Sequence, residues 1–443
     1  MPAVIERVAQ LAMDVRFAGI APEHVRAAKR LVLDTLGCAL GAVGSRPLEM
    51  LRPLLPVPRP GEAAARVWGT GDASTIEGAI LANGMLVRYL DYMDVYWARD
   101  ICHPSENIPV ALCCAEAAGA SGRELIEAVV AAYEVQVRLA DAFSFEAQSL
   151  HHVSAAGFVA PLVLARLWKL PVERAAHAAA LGGFRHLTHA ALVRGELSMA
   201  KALGYASAAS ECVLSTRLAG AGYTGPLEIL EQLGARSIDL EPGTACVTRV
   251  SLKQFPVQFA LQAPIEATLA LRGRIGADAA LRELSIEMRA DACRRTADPA
   301  KFDPQSRETA DHSLPCCVAL AWADGRVDHG QFESDRWRDA DIRRLMSMIR
   351  VRPSEELEAR WPDGRPVRIT ATLQDSSEES VLVAVPRGDR TRPMDDDAVI
   401  AKFLCLAEPV IGADRAGCVV DMTQRLDTLT DVSTLTGLLA RVD

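Results

Sequence analysis

Proton-transferring and charged side chains crowd into the segment at residues 298–321, which becomes apolar directly after them. Asp311 and His312 stand side by side there, and Lys301, Arg307 and Glu308 precede them. A solvated loop rarely carries this mixture, whereas a site that moves a proton beside a bound anion needs both acid–base groups and cations. From the residues alone, His312 could equally cap the following helix, with Asp311 orienting it.

A second candidate lies at residues 86–107, LVRYLDYMDVYWARDICHPSEN. Asp91 and Asp94 are three residues apart, so both carboxylates would share one face if a helix continues that far. Pro104 biases His103 away from helical conformation, which predicts a turn at that point. The alternative is a solvated helix end with a structural histidine.

Two further segments contribute a histidine pair and a lysine. His151 and His152 precede a strongly apolar segment that predicts a helix, a position where a histidine often only caps or packs. Lys201 is one of only six lysines and has alanine and leucine around it. An ammonium in such surroundings is partly desolvated unless an anion pairs with it, and a carboxylate substrate would be such an anion.

The composition excludes several classes of function. A formal net charge of −9 gives no support for binding nucleic acid or an anionic membrane. No apolar run reaches the roughly 18 residues that a membrane span needs, and the first residues lack a signal-peptide core, so we expect a soluble cytoplasmic protein. The 11 cysteines are odd in number and form no CxxC pair, which indicates free thiols. We therefore expect no metal and no cofactor, with chemistry that runs on side chains alone.

The secondary structure predicted around these residues is mostly helical. Half of the 443 residues are apolar and only 5% are aromatic, which favours helices packed on helices, and the length predicts two domains. Helical periodicity at residues 22–42 and a capping-box spacing at Ser121 and Glu124 predict a helical domain over residues 1–250. Alternating apolar residues predict strands at 284–288, 367–373 and 381–385, the last two joined as a hairpin by QDSSEES, in an α+β domain over residues 251–394. A helical pattern returns over residues 395–443, so we predict a mainly α fold whose large helical domain is formed by both termini.

Five segments resemble the MmgE/PrpD family, whose members include 2-methylcitrate dehydratase, cis-aconitate decarboxylase and iminodisuccinate epimerase. The segments are ETADHSLPC at 308–316, LDYMD with HPSEN at 90–107, HHV at 151–153, GELSMAK at 195–201 and KQFPVQFALQAPIEA at 253–267. The resemblance covers nearly the whole chain and implies an inserted α+β lid domain, a homodimer and a small polycarboxylate substrate. It also implies a set of catalytic residues, with His152 favoured over His151: Asp91, His103, His152, Lys201 and Lys253. The substrate-binding residues that it implies are Gln262, His312 and Cys316.

The chain departs from the family pattern at several positions. Cys316 stands where the family usually has tyrosine, and Val95 stands where the decarboxylases have threonine. Gln258 and Ala260 replace an acid and a histidine. The lost phenol and hydroxyl argue against a straightforward decarboxylase.

The leading hypothesis is a metal-independent dehydratase of 2-methylcitrate or a related alkylcitrate. Removing a proton α to a carboxylate and expelling a β-hydroxyl are both helped when cations absorb the charge that develops on the carboxylate. We expect Lys201 and Lys253 to clamp carboxylates, Asp91 to orient His103, and His103 and His152 to divide the base and acid roles. The alternatives are an epimerase or decarboxylase of a small polycarboxylate and a catalytically silent paralogue.

Overall fold

The computed structural model describes residues 2–276, 279–360 and 364–441. In the first half of the chain its helices are α1 (Val4–Asp14), α2 (Pro22–Gly41), α3 (Arg46–Leu51), α4 (Ile76–Tyr89), α5 (Ile108–Ala118), α6 (Gly122–Ala142), α7 (Ala156–Leu167), α8 (Val172–Arg185), α9 (Ala200–Gly220) and α10 (Ile229–Gln232). The later helices are α11 (Gln262–Ile275), α12 (Ala290–Thr296), α13 (Arg307–Ala310), α14 (Leu314–Asp324), α15 (His329–Glu333), α16 (Ala340–Ser347), α17 (Glu355–Glu358), α18 (Asp396–Ile411), α19 (Ala413–Gln424) and α20 (Ser433–Thr436). The strands are β1 (Ala64–Arg66), β2 (Ala73–Thr75), β3 (Tyr96–Trp97), β4 (Ile101–Cys102), β5 (Leu281–Met288), β6 (Ile349–Pro353), β7 (Val367–Leu373) and β8 (Glu378–Val383). The predicted mainly α fold is confirmed. Within the described residues, no helix is both long and apolar enough to cross a bilayer.

One hydrophobic core is built from both ends of the chain, and we call residues 2–252 and 394–441 the helical region. Its buried side chains run from Val4 to Leu252 and resume from Met394 to Leu439. The carboxy-terminal helix α18 packs on α2, where Gly37 leaves so little room that an added Cβ would lie 3.2 Å from Phe403. The predicted capping box at the start of α6 is present, because the Ser121 hydroxyl accepts a hydrogen bond from the Glu124 backbone N–H.

A second core lies in residues 255–383, which we call the mixed region. Its sheet has the strand order β6-β5-β7-β8, in which β5 and β6 are parallel and the other pairs are antiparallel. The hairpin of β7 and β8 is the predicted one, but β8 already begins at Glu378, so the turn is shorter than the sequence suggested. Strand β6 escaped prediction because Ile349 is its only fully buried residue, which leaves no alternating pattern to detect.

Helix α4 ends before the two aspartates that sequence spacing placed on it. Its last residue is Tyr89, and Asp91 has a left-handed backbone with φ of 50°. A non-glycine residue with positive φ cannot continue a right-handed helix. Asp91 and Asp94 therefore do not share a helix face, and the chain instead enters the short β3–β4 hairpin that leads to His103.

Candidate active site

A cavity of about 550 Å³ opens between the helical region and the mixed region. The helical region supplies Arg88 and Asp91 from the end of α4, and His103 from the residue after β4. The mixed region supplies Arg294 from α12 and His312 from the turn before α14. A cavity lined from both regions and rich in titratable groups is the strongest candidate for a ligand site.

Asp91 is the centre of a buried charge network. Arg88 Nη1 lies 3.0 Å from its Oδ1 and Lys201 Nζ lies 3.0 Å from its Oδ2, while Lys253 Nζ contacts Oδ1 and donates to the Asp91 carbonyl at 2.8 Å. His312 Nε2 is 3.3 Å from Oδ2. Burial acts to raise the pKa of Asp91, but the charges of Arg88, Lys201 and Lys253 outweigh it and lower that pKa well below the ordinary value. Asp91 thus stays ionised and fixes the cations around it.

His103 presents a free lone pair as a base requires. Its Nδ1 is 2.5 Å from the Asp94 carbonyl, a contact that only an Nδ1–H can make favourably, so the neutral ring keeps its lone pair on Nε2. Burial, together with the positive charges of Arg88 and Lys253, lowers the pKa of His103 well below its usual value. The predicted role of Asp91 in orienting His103 was therefore wrong, because the Asp91 carboxylate is taken up by cations and the Asp94 backbone holds the ring.

The Asp94 carboxylate fixes the loop that carries this carbonyl. It accepts hydrogen bonds from the Ser105 hydroxyl at 2.6 Å and from the Tyr133 hydroxyl at 2.7 Å. Burial raises the pKa of Asp94 to about 6, although both hydroxyl hydrogen bonds act to lower it. Asp94 is thus a structural partner of His103 and does not line the cavity.

Three histidine rings lie in a row along the cavity wall. The ring centroid of His152 is 5.3 Å from that of His103 and 4.1 Å from that of His151, and all three line the cavity. Burial lowers the pKa of His152 well below its usual value and that of His151 to about 3. Within the described residues the His152 Nδ1 has no hydrogen-bond partner, so a bound ligand is free to set its tautomer. The predicted His103 and His152 are thus together, and His151 is beside them.

Lys201 lies behind the cavity wall. Its ammonium is 3.0 Å from Asp91 Oδ2 and 3.1 Å from Asp311 Oδ1, and it is 3.4 Å from His312 Nδ1. Lys253 does line the cavity, but it is paired with Asp91. The predicted lysine clamp for substrate carboxylates is therefore not formed, because internal carboxylates already pair with both ammonium groups.

Two family models together match most of the chain. The MmgE/PrpD N-terminal domain matches residues 6–235, and the MmgE/PrpD C-terminal domain matches residues 255–428. The chain belongs to the MmgE/PrpD family. Lys253, one of the residues that line the cavity, lies between the two matched ranges, two residues before the second begins.

Relatives within the MmgE/PrpD family are similar over most of their length. The 2-methylcitrate dehydratase of Cupriavidus necator is 28% identical over 412 residues, which cover 82% of each chain. The 2-methylcitrate dehydratase of Escherichia coli K12 is 26% identical over 403 residues, again 82% of each chain. The cis-aconitate decarboxylase of Mus musculus is 24% identical over 452 residues, 94% of this chain and 89% of the mouse protein.

Two residues that the family resemblance suggested for substrate binding are not among those that line the cavity. The Gln262 side-chain amide is hydrogen-bonded to the backbone. Its Oε1 accepts hydrogen bonds from the Gln254 and Phe255 N–H groups, and its Nε2 donates one to the Phe255 carbonyl. Cys316 is fully buried in the core of the mixed region. These positions do not support substrate contacts by Gln262 or Cys316, because the Gln262 amide is bonded to the backbone at the junction and the Cys316 thiol packs in the core.

Sequence reasoning missed the arginines of the cavity. Arg88 precedes Asp91 by three residues, a spacing that would have indicated their ion pair. Arg194 and Arg294 are exposed cavity residues, and within the described part of the chain neither side chain forms an ion pair. Arg295, also at the cavity, is occupied by Glu146 at 2.6 Å. Arg194 and Arg294 are therefore open to an anionic ligand, and only the folded structure distinguishes them from the many surface arginines.

A group of Asp91, Asp311 and His312 has ligand atoms close enough together to hold a metal ion. The Lys201 ammonium lies within 3.4 Å of all three side chains and supplies the positive charge that such donors need. We therefore expect EDTA or added Mg²⁺, Mn²⁺ or Zn²⁺ to leave the melting temperature unchanged. A metal-dependent rise in melting temperature that Asp311→Asn abolishes would contradict this assignment.

Proposed function

We propose that this protein is a metal-independent lyase that dehydrates a small polycarboxylate, with 2-methylcitrate or a related alkylcitrate as the best-supported substrate. The observation that supports this most is the row of neutral histidines, with the free lone pair of His103, on the same cavity as Arg194 and Arg294, which form no ion pair within the described residues. The names of the relatives point to the same chemistry, since both bacterial relatives are 2-methylcitrate dehydratases.

His103 is the proposed general base. Its pKa is low in the empty cavity, so it is deprotonated at neutral pH, and a bound carboxylate raises its basicity by stabilising the imidazolium that forms. The base removes the proton α to a substrate carboxylate, and the electron pair forms the new carbon–carbon double bond as the β-hydroxyl leaves. The leaving hydroxyl needs a proton, and His152 is the proposed donor because its ring is next to that of His103 and its Nδ1 has no internal partner in the described chain. Burial keeps His152 neutral in the empty cavity, so it takes up a proton from solvent when the negatively charged substrate binds and stabilises its imidazolium. One water molecule is released, and the two histidines exchange protonation states.

Arg194 and Arg294 are the proposed carboxylate contacts. Arg194 follows a 3₁₀ turn at Ala190–Val193 in the helical region, and Arg294 lies on α12 in the mixed region. A guanidinium binds a carboxylate through two parallel hydrogen bonds, which orients the substrate as well as holding it. A substrate with two carboxylates could therefore contact both regions at once, so we expect polycarboxylates to bind more tightly than monocarboxylates.

Replacing Arg194 or Arg294 with glutamine should raise KM for a polycarboxylate roughly tenfold or more, because each loses a charge-assisted bidentate contact. Because these contacts would hold a carboxylate and transfer no proton, kcat should change less than KM. Steady-state kinetics of both variants would test this, with Arg344→Gln as the control, since Arg344 is an exposed arginine of the same region outside the cavity. Wild-type KM in both variants would show that the carboxylates bind elsewhere.

The value of kcat/KM should fall as the pH rises through about 8. Burial lowers the pKa of Lys253 to about 8 against the opposing attraction of Asp91, so its positive charge is present below that pH and lost above it. Loss of this charge leaves Asp91 less compensated and repels an anionic substrate. Lys253→Arg, which stays charged, should move the alkaline limb upward in whatever activity remains.

Glu106 could also cause the alkaline limb of the pH profile, because burial raises its pKa to about 8 as well. A Glu106 variant is therefore the control. The Glu106 Oε1 is 3.7 Å from Arg88 Nε, so its ionisation would also change the charge near the cavity. Glu106→Gln should leave the alkaline limb in place. If instead Glu106→Gln removes the limb and Lys253→Arg does not move it, the assignment to Lys253 is wrong.

The proposed reaction is tested by incubating the protein and EDTA with a panel of citrates and following the ultraviolet absorbance of a new conjugated double bond. A rise with 2-methylcitrate or another alkylcitrate is the expected result. Carbon dioxide release from cis-aconitate without dehydration of any citrate would replace dehydratase by decarboxylase. Change of configuration without a new double bond would identify an epimerase, and no turnover at all would support a silent paralogue.

The proposal also includes a cellular location and an oligomeric state. All 11 cysteines are free thiols, nine of them partly or fully shielded from solvent, which supports a reducing, cytoplasmic location. A homodimer is proposed from the family resemblance and can be checked by light scattering.

A further inference from the structure

Lys402 is a buried lysine that the proposed chemistry does not use. It lies on α18, near the carboxy terminus, and its side chain is only 4% exposed. Its ammonium pairs with Asp34 Oδ1 of α2 at 2.7 Å and donates to the backbone carbonyls of Tyr92 at 2.8 Å and Lys253 at 3.2 Å. The ammonium thus lies against one carboxylate and donates hydrogen bonds to two carbonyls, and both carbonyls belong to the backbone of the candidate site.

The two carbonyls flank the Asp91–Lys253 pair. Tyr92 directly follows Asp91, and Lys253 is itself the partner of the Asp91 carboxylate. The same two segments are joined on either side of Lys402: the backbones of Val95 and Ser251 exchange two hydrogen bonds, and the Tyr92 hydroxyl donates to the Gln254 carbonyl at 2.7 Å. The Lys402 ammonium also lies 3.8 Å from the centre of the Tyr92 ring. Lys402 is therefore a second charged link between the segments, beside the Asp91–Lys253 ion pair.

The backbone of Asp91 needs such support. Its φ of 50° is a conformation that a non-glycine residue adopts at a cost, and such residues persist only where their surroundings hold them. The Lys253 ammonium holds the Asp91 carbonyl, and the Lys402 ammonium holds the next carbonyl along the chain. If the hydrogen bond from Lys402 to the Tyr92 carbonyl is removed, the turn can relax, and the Asp91 carboxylate can move away from its cations.

From these contacts we infer that the Asp34–Lys402 pair is a positioning device: it fixes the turn at Asp91 and the backbone of Lys253 so that the charge network faces the cavity. The activity measurement of this inference rests on the proposed function, but its structural measurement does not. The alternative is that the Asp34–Lys402 pair only stabilises the packing of α18 on α2.

The sharpest variants remove both charges together, because a single replacement leaves a buried charge without its partner. Asp34→Asn with Lys402→Met removes the donors to both carbonyls, whereas Asp34→Asn with Lys402→Gln keeps an amide that can donate to them. A matched control is Glu127→Gln with Arg166→Met. Arg166 is also a buried cation that pairs with a carboxylate, at 2.5 Å, and donates to backbone carbonyls, those of Ala12 and Met13, but it lies outside the cavity lining.

The structural measurement is the titration of Lys253, followed by NMR of protein labelled with ¹³C and ¹⁵N only in lysine. Six lysines give a spectrum simple enough to assign by single replacements. The wild-type Lys253 signal should titrate near pH 8. We expect the methionine double variant to shift that midpoint by about half a pH unit or more, because the ammonium changes its distance to Asp91. The glutamine double variant and the Arg166 control should keep the wild-type midpoint.

The kinetic measurement uses the same variants well below their melting temperatures. The methionine double variant should lose roughly tenfold or more in kcat, since small displacements of catalytic groups have large effects, and the glutamine double variant should recover most of it. A wild-type Lys253 midpoint in the folded methionine variant would overturn the inference. If that variant does not fold, Lys402→Arg keeps a cation for Asp34 but replaces the single ammonium by a planar guanidinium, which presents its donors in a different geometry to the two carbonyls. An unchanged midpoint there would overturn the inference equally. If the wild type shows no turnover, the proposed function fails while the titration still decides the inference.

Discussion

His103→Gln is expected to lower kcat by about 10²- to 10⁴-fold, the usual contribution of a positioned general base. Glutamine keeps an N–H donor for the Asp94 carbonyl that Nδ1 contacts at 2.5 Å, so the loop can stay in place while the base is lost. The melting temperature should therefore change little. Single-turnover kinetics would measure the chemical step directly, separated from product release.

Other histidines provide the controls for this result. His152→Gln should also have a large effect, whereas His151→Gln should have a small one, because His151 is the farther ring in the row. His329 lies on α15, outside the lining of the cavity, and His329→Gln should leave kcat unchanged. If His103→Gln has wild-type kcat and melting temperature, His103 is only structural, and a strong effect at His151 alone would make it the acid.

Asp91→Asn is expected to destabilise the fold by about 3–5 kcal/mol, because it leaves the buried charges of Arg88, Lys201 and Lys253 without their shared carboxylate. Its activity should be lost as well, since the same carboxylate fixes Lys253 at the cavity. Urea unfolding followed by circular dichroism would give the change in the free energy of unfolding.

A surface ion pair offers the matched comparison for Asp91. Asp427 is paired with Lys29, and its side chain is 29% exposed, against 2% for Asp91. Asp427→Asn should cost only about 0–1 kcal/mol, as exposed pairs do. A loss at Asp91 no larger than that at Asp427 would show that the cations around Asp91 are compensated by other groups.

The regular elements were predictable where burial gives a periodic pattern. Helix α2 was predicted at residues 22–42 and found at Pro22–Gly41, because its apolar residues recur on one face. The β7–β8 hairpin has alternating burial for the same kind of reason. The end of α4 was not predictable from periodicity, because it depends on the left-handed conformation of Asp91, which tertiary contacts hold in place.

For the candidate site, sequence identified residue types better than roles. Asp91, His103, His152, Lys253 and His312 do line one cavity. The roles of Lys201 and Asp91 were misassigned because the partner of a buried charge is set by the fold: Lys201 meets Asp311, which is 110 positions away in the chain. Arg194 and Arg294 were missed because nothing in their local sequence distinguishes an arginine at a cavity from one on the open surface.

The proposed mechanism depends most on one step, in which a histidine removes the proton α to a substrate carboxylate without a metal ion. The most direct measurement is deuterium incorporation at that carbon, followed by proton NMR of 2-methylcitrate incubated with the protein in D₂O and EDTA. The wild type should exchange the α-proton for deuterium during reversible dehydration, and His103→Gln should slow this exchange by the same factor as kcat. Absence of exchange with every citrate tested, or an equal exchange rate in His103→Gln, would contradict the account.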